Sequence, residues 1–202
     1  MKNLRSLTLT LALALPLAAC GSSPAATPDA STQDAAAPMF DPAVCRGDVV
    51  QPDLSSQDAT GAPIPPAWMG PGVDSSTGLP SVPEGAIITT TYLQLRVDEA
   101  GQRRFGELVG PVIGQLMATP GMIAVSLTNS RECGVARTLT VWQDEESMLA
   151  FVASDAHTAA MVGTAEVSRG GSITTHWIAS GPDDASWARA AERLADHDGP
   201  VY

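Results

Sequence analysis

The chain has 202 residues, with 11 basic against 22 acidic side chains and a formal net charge of −11. Nucleic acid is excluded as the expected partner, because phosphate binding needs a clustered basic face. The hydrophobic share of 44% excludes wholesale disorder, and three Cys are too few for a disulfide-rich scaffold. The length suits one ordinary domain or two small ones.

Residues 1–19 have the pattern of an export signal. Lys2 and Arg5 precede an apolar run over residues 7–15. The whole stretch is shorter than the roughly 20 apolar residues that a membrane-spanning helix needs. We therefore predict a signal peptide that directs the chain to the cell envelope.

The end of this segment points to a lipid anchor. Leu17-Ala18-Ala19-Cys20 resembles the bacterial lipobox, in which the Cys is lipidated and becomes the mature N-terminus. We predict lipidation of Cys20 and attachment to a membrane, on the outer membrane or the periplasmic face if the source has two membranes. The alternative is a plain secretory signal that happens to lie beside a Cys.

The segment after the signal is rich in Pro, Ala, Ser and Asp, and it holds eleven of the 16 Pro. Residues 20–40 are expected to form a flexible tether. Residues 41–85 are expected to form an irregular strap, because Pro and Gly forbid a long helix there while spaced apolar residues allow it to dock on a domain. These apolar residues are Val44, Val49, Val50, Ile64, Trp68, Met69 and Leu79.

The chain has two other Cys in addition to the predicted lipidation site, Cys20. In an oxidising envelope, Cys45 and Cys133 are most simply a disulfide that ties the strap to the domain. The alternative is two free buried thiols.

A folded domain begins near residue 86. Residues 87–97 alternate between two faces and are rich in β-branched side chains, which predicts a strand. Asp98 is a predicted helix N-cap. Apolar residues with helical spacing then predict an amphipathic helix, kinked at Pro111 and ended by Pro120-Gly121. These apolar residues are Phe105, Leu108, Val109, Val112, Ile113, Leu116 and Met117.

The same analysis predicts strands at 122–128 and 135–142, separated by a turn. Asp144 is predicted to cap a second helix, which is re-capped at Ser154-Asp155 and continues over 157–165. Gly170-Gly171 is predicted to turn into a last strand at 172–179. A terminal helix is predicted within residues 181–202, with Trp187, Ala191 and Leu194 on its apolar face.

The order β-α-β-β-α-β over residues 86–180 predicts the α+β class, as a ferredoxin-like sandwich. In such a sandwich the helices cover only one face of the sheet. We expect the other face to need a cover, either a second copy of the sheet or a ligand. This face is expected to carry Tyr92, Gln94, Thr138, Thr140 and Trp142.

Three stretches of the domain resemble the antibiotic biosynthesis monooxygenase family of the dimeric α/β-barrel superfamily. They are residues 120–122 (Pro-Gly-Met), residues 140–148 and residues 151–157. The resemblance covers about residues 86–180. It implies a homodimer in which two sheets meet face to face, with a small-molecule cleft between each sheet and its helices.

Members of that family include quinone-forming monooxygenases that need no cofactor, and haem-degrading enzymes. No cofactor is therefore expected, and haem is a possible ligand. The first strand of this chain lacks the Asn that haem-degrading members carry there.

His157, Tyr92 and Trp142 are the candidate catalytic residues. An imidazole titrates near neutrality, so His157 either acts as a base or ligand holder, or only caps and packs against its turn. Trp142 is either a substrate platform or part of the core. Tyr92 either hydrogen-bonds a substrate or lies in a dimer interface.

Gln94, Arg96, Arg137 and His176 are the candidate ligand-binding residues. The two Arg either bind a substrate carboxylate or pair with acidic side chains of this acidic protein. His176 has the same two interpretations as Tyr92. No metal motif, phosphate-binding loop or hydrolase elbow is present in the sequence.

Three functions are left open at this point. The first is a cofactor-independent oxygenase acting on a small aromatic compound or quinol. The second is a non-catalytic module that binds a small ligand or haem. The third is an interaction domain for another envelope protein, and fold alone does not decide among them.

Overall fold

The computed structural model describes residues 66–130 and 134–196. The predicted signal peptide, Cys20, the tether, most of the strap and both other Cys lie outside the described residues.

Five strands and five α-helices follow one another along the described chain. The strands are β1 (Trp68–Met69), β2 (Ile87–Leu95), β3 (Met122–Ser130), β4 (Val135–Trp142) and β5 (Ser168–Ile178). The helices are α1 (Glu99–Ala118), α2 (Glu145–Val152), α3 (Asp155–Val162), α4 (Thr164–Val167) and α5 (Trp187–Ala195), with a 3₁₀ turn at Pro182–Asp184.

The strands form one antiparallel sheet in the order β1-β3-β4-β2-β5. Apart from β1, this is the β-α-β-β-α-β arrangement of a ferredoxin-like sandwich. The predicted α+β fold class is confirmed.

Side-chain caps start the helices where the sequence predicts them. Asp98 accepts a hydrogen bond from the Gly101 amide at 2.8 Å, and Asp144 accepts one from the Ser147 amide at 2.8 Å. Ser154 caps α3 in the same way. Each cap satisfies an amide that has no partner inside its helix. α1 runs through Pro111 as one helix.

The beginning of β5 differs from the prediction. Gly170-Gly171 was expected to be a turn before the strand, but both residues lie inside β5, which starts at Ser168. The pairing of β2 with β5 shifts register between Leu93 and Leu95, so the glycines lie at an irregularity of the ladder. Gly171 has a φ of +92°, which is a conformation that glycine adopts at little cost.

Residues 66–86 lie against the sheet. β1 pairs with β3, so it covers the outer edge of that strand. Trp68 and Val73 pack against buried residues of the sheet, and the Ser126 hydroxyl donates to the Pro66 carbonyl at 2.9 Å. This segment therefore extends both the sheet and its core.

Each face of the sheet has its own hydrophobic core. The core on the side of α1 and α2 consists of Ile87, Leu116, Met122, Val125, Trp142, Met148 and Phe151. The core on the opposite side joins residues of all four long strands to α5 and to residues 82–86. α5 and residues 82–86 therefore pack on the part of the second face that carries this core.

The predicted composition of that second face is wrong in three positions. Trp142 pairs with Ile87, and Tyr92 pairs with Arg137. Even-numbered residues of β4 therefore share a face with odd-numbered residues of β2, and Thr138, Thr140 and Trp142 lie on the helix side. A shift of pairing by one residue moves a whole strand pattern to the other face, and that register is set by distant residues.

Candidate functional site

Threonines occupy the middle of the helix-facing side of the sheet. We name Thr89, Thr91, Thr138, Thr140 and Thr174 the threonine row. Their strands pair in register, so the five side chains share this face. The hydroxyls of Thr89 and Thr140 hydrogen-bond each other, and those of Thr91 and Thr174 lie 3.1 Å apart. The row places hydroxyl groups, several of them hydrogen-bonded to one another, in the middle of this face, and Thr174 lies at its exposed edge.

The helix that lies opposite this face is α1, and few of its side chains are buried. In α1 only Gly101 and Leu116 are buried. The central apolar residues Leu108, Val109 and Val112 remain half-buried, as do Thr89 and Thr91. The tight core on this side lies at one end of the sheet, around Trp142 and Met122. The region between the middle of α1 and the threonine row, where these side chains are only half-buried, is the candidate ligand site, and we name it the cleft.

Trp142 is a buried residue that contacts the threonine row. Its side chain is 1% exposed, and its indole N–H donates to the Thr140 hydroxyl at 2.9 Å. Of the two interpretations of Trp142, the structure favours a core residue, because no ligand reaches a ring that is buried to this extent.

An aromatic path leads from Trp142 to His157. The ring centroids of Trp142 and Phe151 lie 5.4 Å apart, and those of Phe151 and His157 lie 4.9 Å apart in an edge-on arrangement. Phe151 was predicted only as part of the apolar stripe of α2. His157 and the threonine row are thus joined by direct contacts through Phe151 and Trp142.

His157 is held at the junction of α2 and α3. Its Nδ1 lies 3.1 Å from the carbonyl oxygen of Val152. Burial lowers the pKa of His157, and the bond to Val152 offsets part of that shift. The lowered pKa favours the neutral form of the imidazole. The contact with Val152 matches the prediction that His157 packs against its turn, but it leaves Nε2 available for other chemistry.

Tyr92, Gln94 and Arg137 lie on the opposite face of the sheet. Tyr92 is 3% exposed and Arg137 is 1% exposed, so neither reaches the cleft. Burial raises the pKa of Tyr92. The structure therefore does not bring Tyr92 together with His157 and Trp142.

Arg137 lies beneath α5. Its guanidinium carbon is 5.0 Å from the centre of the Trp187 ring, a cation–π contact. Burial lowers the pKa of Arg137 to about 10, so it remains a cation at neutral pH. A substrate carboxylate has no path to this side chain while α5 is docked.

His176 and Arg96 lie at the margins of the domain. His176 is exposed on β5, where it pairs with Thr89 and faces the helix side. It is therefore the one predicted ligand-binding residue on the cleft side of the sheet. Arg96 lines a charged depression at the start of α1, together with Arg103, Arg104, Glu107 and Glu166. This depression is separate from the cleft, and exposed ion pairs such as Arg104–Glu166 cross it.

Within 66–130 and 134–196, no three His, Cys, Asp or Glu side chains lie close enough together to hold a metal ion. In that same part of the chain, none of the helices has the length and apolar character to cross a membrane.

Comparison with known proteins places one family over this region. Residues 90–162 match the model of the antibiotic biosynthesis monooxygenase family. The match includes α1, the Trp142–Phe151–His157 path and three members of the threonine row (Thr91, Thr138 and Thr140), but it leaves out Thr89 and Thr174 and covers less than half of the chain. No curated protein matches the sequence.

Solved structures show distant likeness over a similar span. A conserved protein from Methanosarcina mazei is 17% identical, with 46% of this chain and 91% of that chain covered and a TM-score of 0.41. A cofactor-independent oxygenase from Streptomyces nogalater is 12% identical, with 47% and 93% covered and a TM-score of 0.39. A protein from Mycobacterium tuberculosis is 13% identical, with 46% and 94% covered and a TM-score of 0.42. Likenesses of this size carry no functional argument.

Proposed function

We propose that this chain is a lipid-anchored envelope protein whose domain oxygenates a small aromatic quinol, without a cofactor, in the cleft between α1 and the sheet. The observation that carries the proposal is the position of His157: its Nδ1 lies against the Val152 carbonyl, and its ring contacts Phe151, which contacts Trp142 beside the hydroxyl row. The match of residues 90–162 to a monooxygenase family supports the class of reaction.

The tautomer of His157 follows from its partner. A carbonyl oxygen only accepts hydrogen bonds, so Nδ1 must carry the proton that is donated to Val152. Nε2 of the neutral ring then holds a lone pair. A half-buried imidazole with its tautomer fixed in this way is a suitable general base.

The reaction balances without an added reductant. His157 takes a proton from a phenolic hydroxyl of the quinol, and the resulting phenolate is electron-rich enough to react with O2. O2 adds to an unsubstituted ring carbon, that carbon loses its proton, and cleavage of the O–O bond leaves one oxygen on the ring as a new hydroxyl and releases the other as water. The two quinol oxygens become the carbonyls, and the quinol supplies all four electrons. The product is a hydroxyquinone. The threonine hydroxyls provide hydrogen bonds that orient the substrate oxygens.

Substituting His157 by asparagine tests the assignment of the base. The Asn amide can still donate to the Val152 carbonyl, but it offers no basic nitrogen. We expect oxygen uptake with simple hydroquinones to fall by about 100-fold or more, as is typical when a general base is lost. The measurement is oxygen consumption with a panel of quinols, and Thr158→Ala on the exposed side of the same helix is the matched control.

The pH dependence of oxygen uptake distinguishes a general base at His157 from a residue with only a structural role. Because burial lowers the pKa of His157, uptake by the wild type should fall only as the pH drops below the ordinary histidine range. This decrease in oxygen uptake at low pH should be absent from the residual activity of His157→Asn. Uptake unchanged in that variant would contradict the assignment. Saturable binding of quinol or haem with no oxygen uptake would instead indicate a binding module, and no response to either would favour a protein-interaction domain.

Membrane attachment has its own test. Substituting Cys20 by serine removes the thiol that the predicted lipid would occupy. We expect the wild type to incorporate radiolabelled palmitate and to sediment with membranes, and the variant to do neither. Cys45→Ser, which leaves the lipobox intact, is the control. Equal membrane retention of wild type and Cys20→Ser would show that no lipid at this position anchors the chain.

A further inference from the structure

The open side of the cleft lies along β5, an edge strand of the sheet. Thr174, His176 and Ile178 face the helix side of this strand, and all three are exposed. His176 pairs with Thr89, and Thr89 pairs with Thr140, so these three residues form one line across the sheet. Side chains at directly opposed positions of neighbouring strands lie close enough to interact. The exposed imidazole therefore lies at the open end of the threonine row.

We propose that His176 binds the second oxygen of a 1,4-quinol and takes the proton from it, so that His157 and His176 act on opposite ends of one substrate. This inference rests on the proposed function, and it deepens that function by naming the arrangement of the two substrate hydroxyls.

The two imidazoles lie at the same end of the sheet but in different layers. His157 is on α3 in the helix layer, and Phe151 links its ring to Trp142. Trp142 lies on the cross-strand line next to that of His176, on the same face of the sheet. A 1,4-quinol carries its hydroxyls at opposite ends of the ring, so it suits two bases in opposite layers. A catechol, whose hydroxyls are adjacent, does not.

The helix layer leaves room for an aromatic ring beside His157. None of the eight residues of α3 is buried. The other half-buried residues of this helix are Ala156 and Ala160, whose side chains are single methyl groups. The inner face of α3 therefore offers one functional side chain, His157, and little bulk on either side of it.

The Thr89–Thr140 pair supplies a hydrogen bond to the same substrate oxygen. The bond between their hydroxyls uses one of the two hydroxyl protons. The Trp142 indole N–H, which only donates, already occupies a lone pair of Thr140. The second hydroxyl proton of the pair is therefore available to a substrate oxygen that donates its own proton to His176.

The reaction requires a second proton acceptor. Both quinol oxygens become carbonyls, so both phenolic O–H bonds break, and His157 takes only one of the protons. The other passes to a ring nitrogen of His176, and the electron pair of the broken bond remains on the oxygen to form the carbonyl. With the ring proton, three protons leave the substrate, and one is recovered in the new hydroxyl and two in the released water.

Binding in the absence of oxygen tests this assignment apart from catalysis. Calorimetric titration under nitrogen compares 1,4-hydroquinone with 4-methoxyphenol, whose second oxygen has no proton to donate. In the full chain carrying Cys20→Ser, His176→Ala should weaken hydroquinone binding by about 5–10-fold, the loss of one hydrogen bond, and leave 4-methoxyphenol binding unchanged. Ile178→Ala, exposed on the same face of β5, is the matched control and should bind both ligands as the parent does.

His176→Gln separates proton transfer from hydrogen bonding. The amide oxygen of Gln accepts a hydrogen bond from the phenol, but it does not take the proton. The KM for hydroquinone should therefore stay within about twofold of the parent value, while kcat for oxygen uptake falls by about 10-fold or more. A kcat equal to that of the parent would overturn the assignment.

The binding experiment has two results that would also overturn it. Hydroquinone binding could be unchanged in His176→Ala, or it could be lost together with 4-methoxyphenol binding. Oxygen uptake that still depends on His157 would then leave the proposed function standing. A parent chain that neither binds hydroquinone nor consumes oxygen with it would remove the proposed function, and this inference with it.

Discussion

Replacement of Trp142 by alanine is expected to lower the free energy of unfolding by about 3–5 kcal/mol, the usual cost of removing a large aromatic side chain from a core. The ring is 1% exposed and lies at the centre of the helix-side core, against Phe151. The substitution also removes the indole N–H that donates to the Thr140 hydroxyl. A typical domain is stable by only about 5–15 kcal/mol, so this loss is a large fraction of the total.

Urea denaturation followed by circular dichroism measures this change without relying on tryptophan fluorescence. Trp142→Phe is the graded comparison, because it keeps a ring against Phe151 and loses only the indole N–H and part of the volume. It should cost about 1–2 kcal/mol. A loss below about 1 kcal/mol in Trp142→Ala would mean that the ring is not the centre of this core.

Gly70→Ala is expected to cost about 2–5 kcal/mol, because two penalties act at the same position. Gly70 has a φ of +135°, which residues with a side chain rarely adopt. An added Cβ would also lie 2.6 Å from the Ile123 carbonyl oxygen and 2.9 Å from Ala124 Cα. Both neighbours are backbone of β3, so β1 could keep its pairing only by moving away from the sheet.

Gly78→Ala is the matched control for this substitution. Gly78 also has a positive φ, of +69°, but an added Cβ would meet no atom within 4 Å. Its cost should therefore be the backbone term alone, about 1 kcal/mol. The difference between the two variants in thermal unfolding measures the crowding between β1 and β3. Equal costs would show that residues 66–86 are not packed against the sheet as described.

Local patterns in the sequence were enough to predict most elements of the fold. The alternation in β2 and the caps Asp98 and Asp144 depend on residues close together in the chain, and the structure confirms them. Gly170-Gly171 misled the prediction, because paired glycines are as compatible with an irregular strand as with a turn. Local composition does not distinguish these two uses of glycine.

Which residues of neighbouring strands share a face of the sheet could not be predicted from one sequence. Each strand alternates on its own, but the face that Trp142 shares with β2 depends on a pairing across more than fifty residues. For the same reason Tyr92 and Arg137 were grouped with a site that they do not reach. The packing of α5 on the second face was not predicted. An apolar stripe indicates that a helix packs against something, but it does not identify the surface.

The candidate site was predicted in part. His157 was singled out for its chemistry, and the structure adds the partner that fixes its tautomer. The threonine row was missed as a site, although Thr89, Thr91 and Thr140 are visible in the sequence as alternating hydroxyls in β-rich segments. Hydroxyl groups in strands usually form hydrogen bonds with nearby residues. Only the register between the strands shows that these threonines lie side by side on one face.

The position of β2 in the sheet has a consequence for how the chain folds. β3 and β4 are neighbours in sequence and can pair as a local hairpin, whereas β2 lies between β4 and the much later β5. Ile87 must pair with Ile178 before β2 has a neighbouring strand on each side. Contacts this distant slow folding, and an unpaired strand edge invites pairing with other chains. β5, which comes last among the described strands, therefore covers the edge of β2 and limits its pairing with other chains.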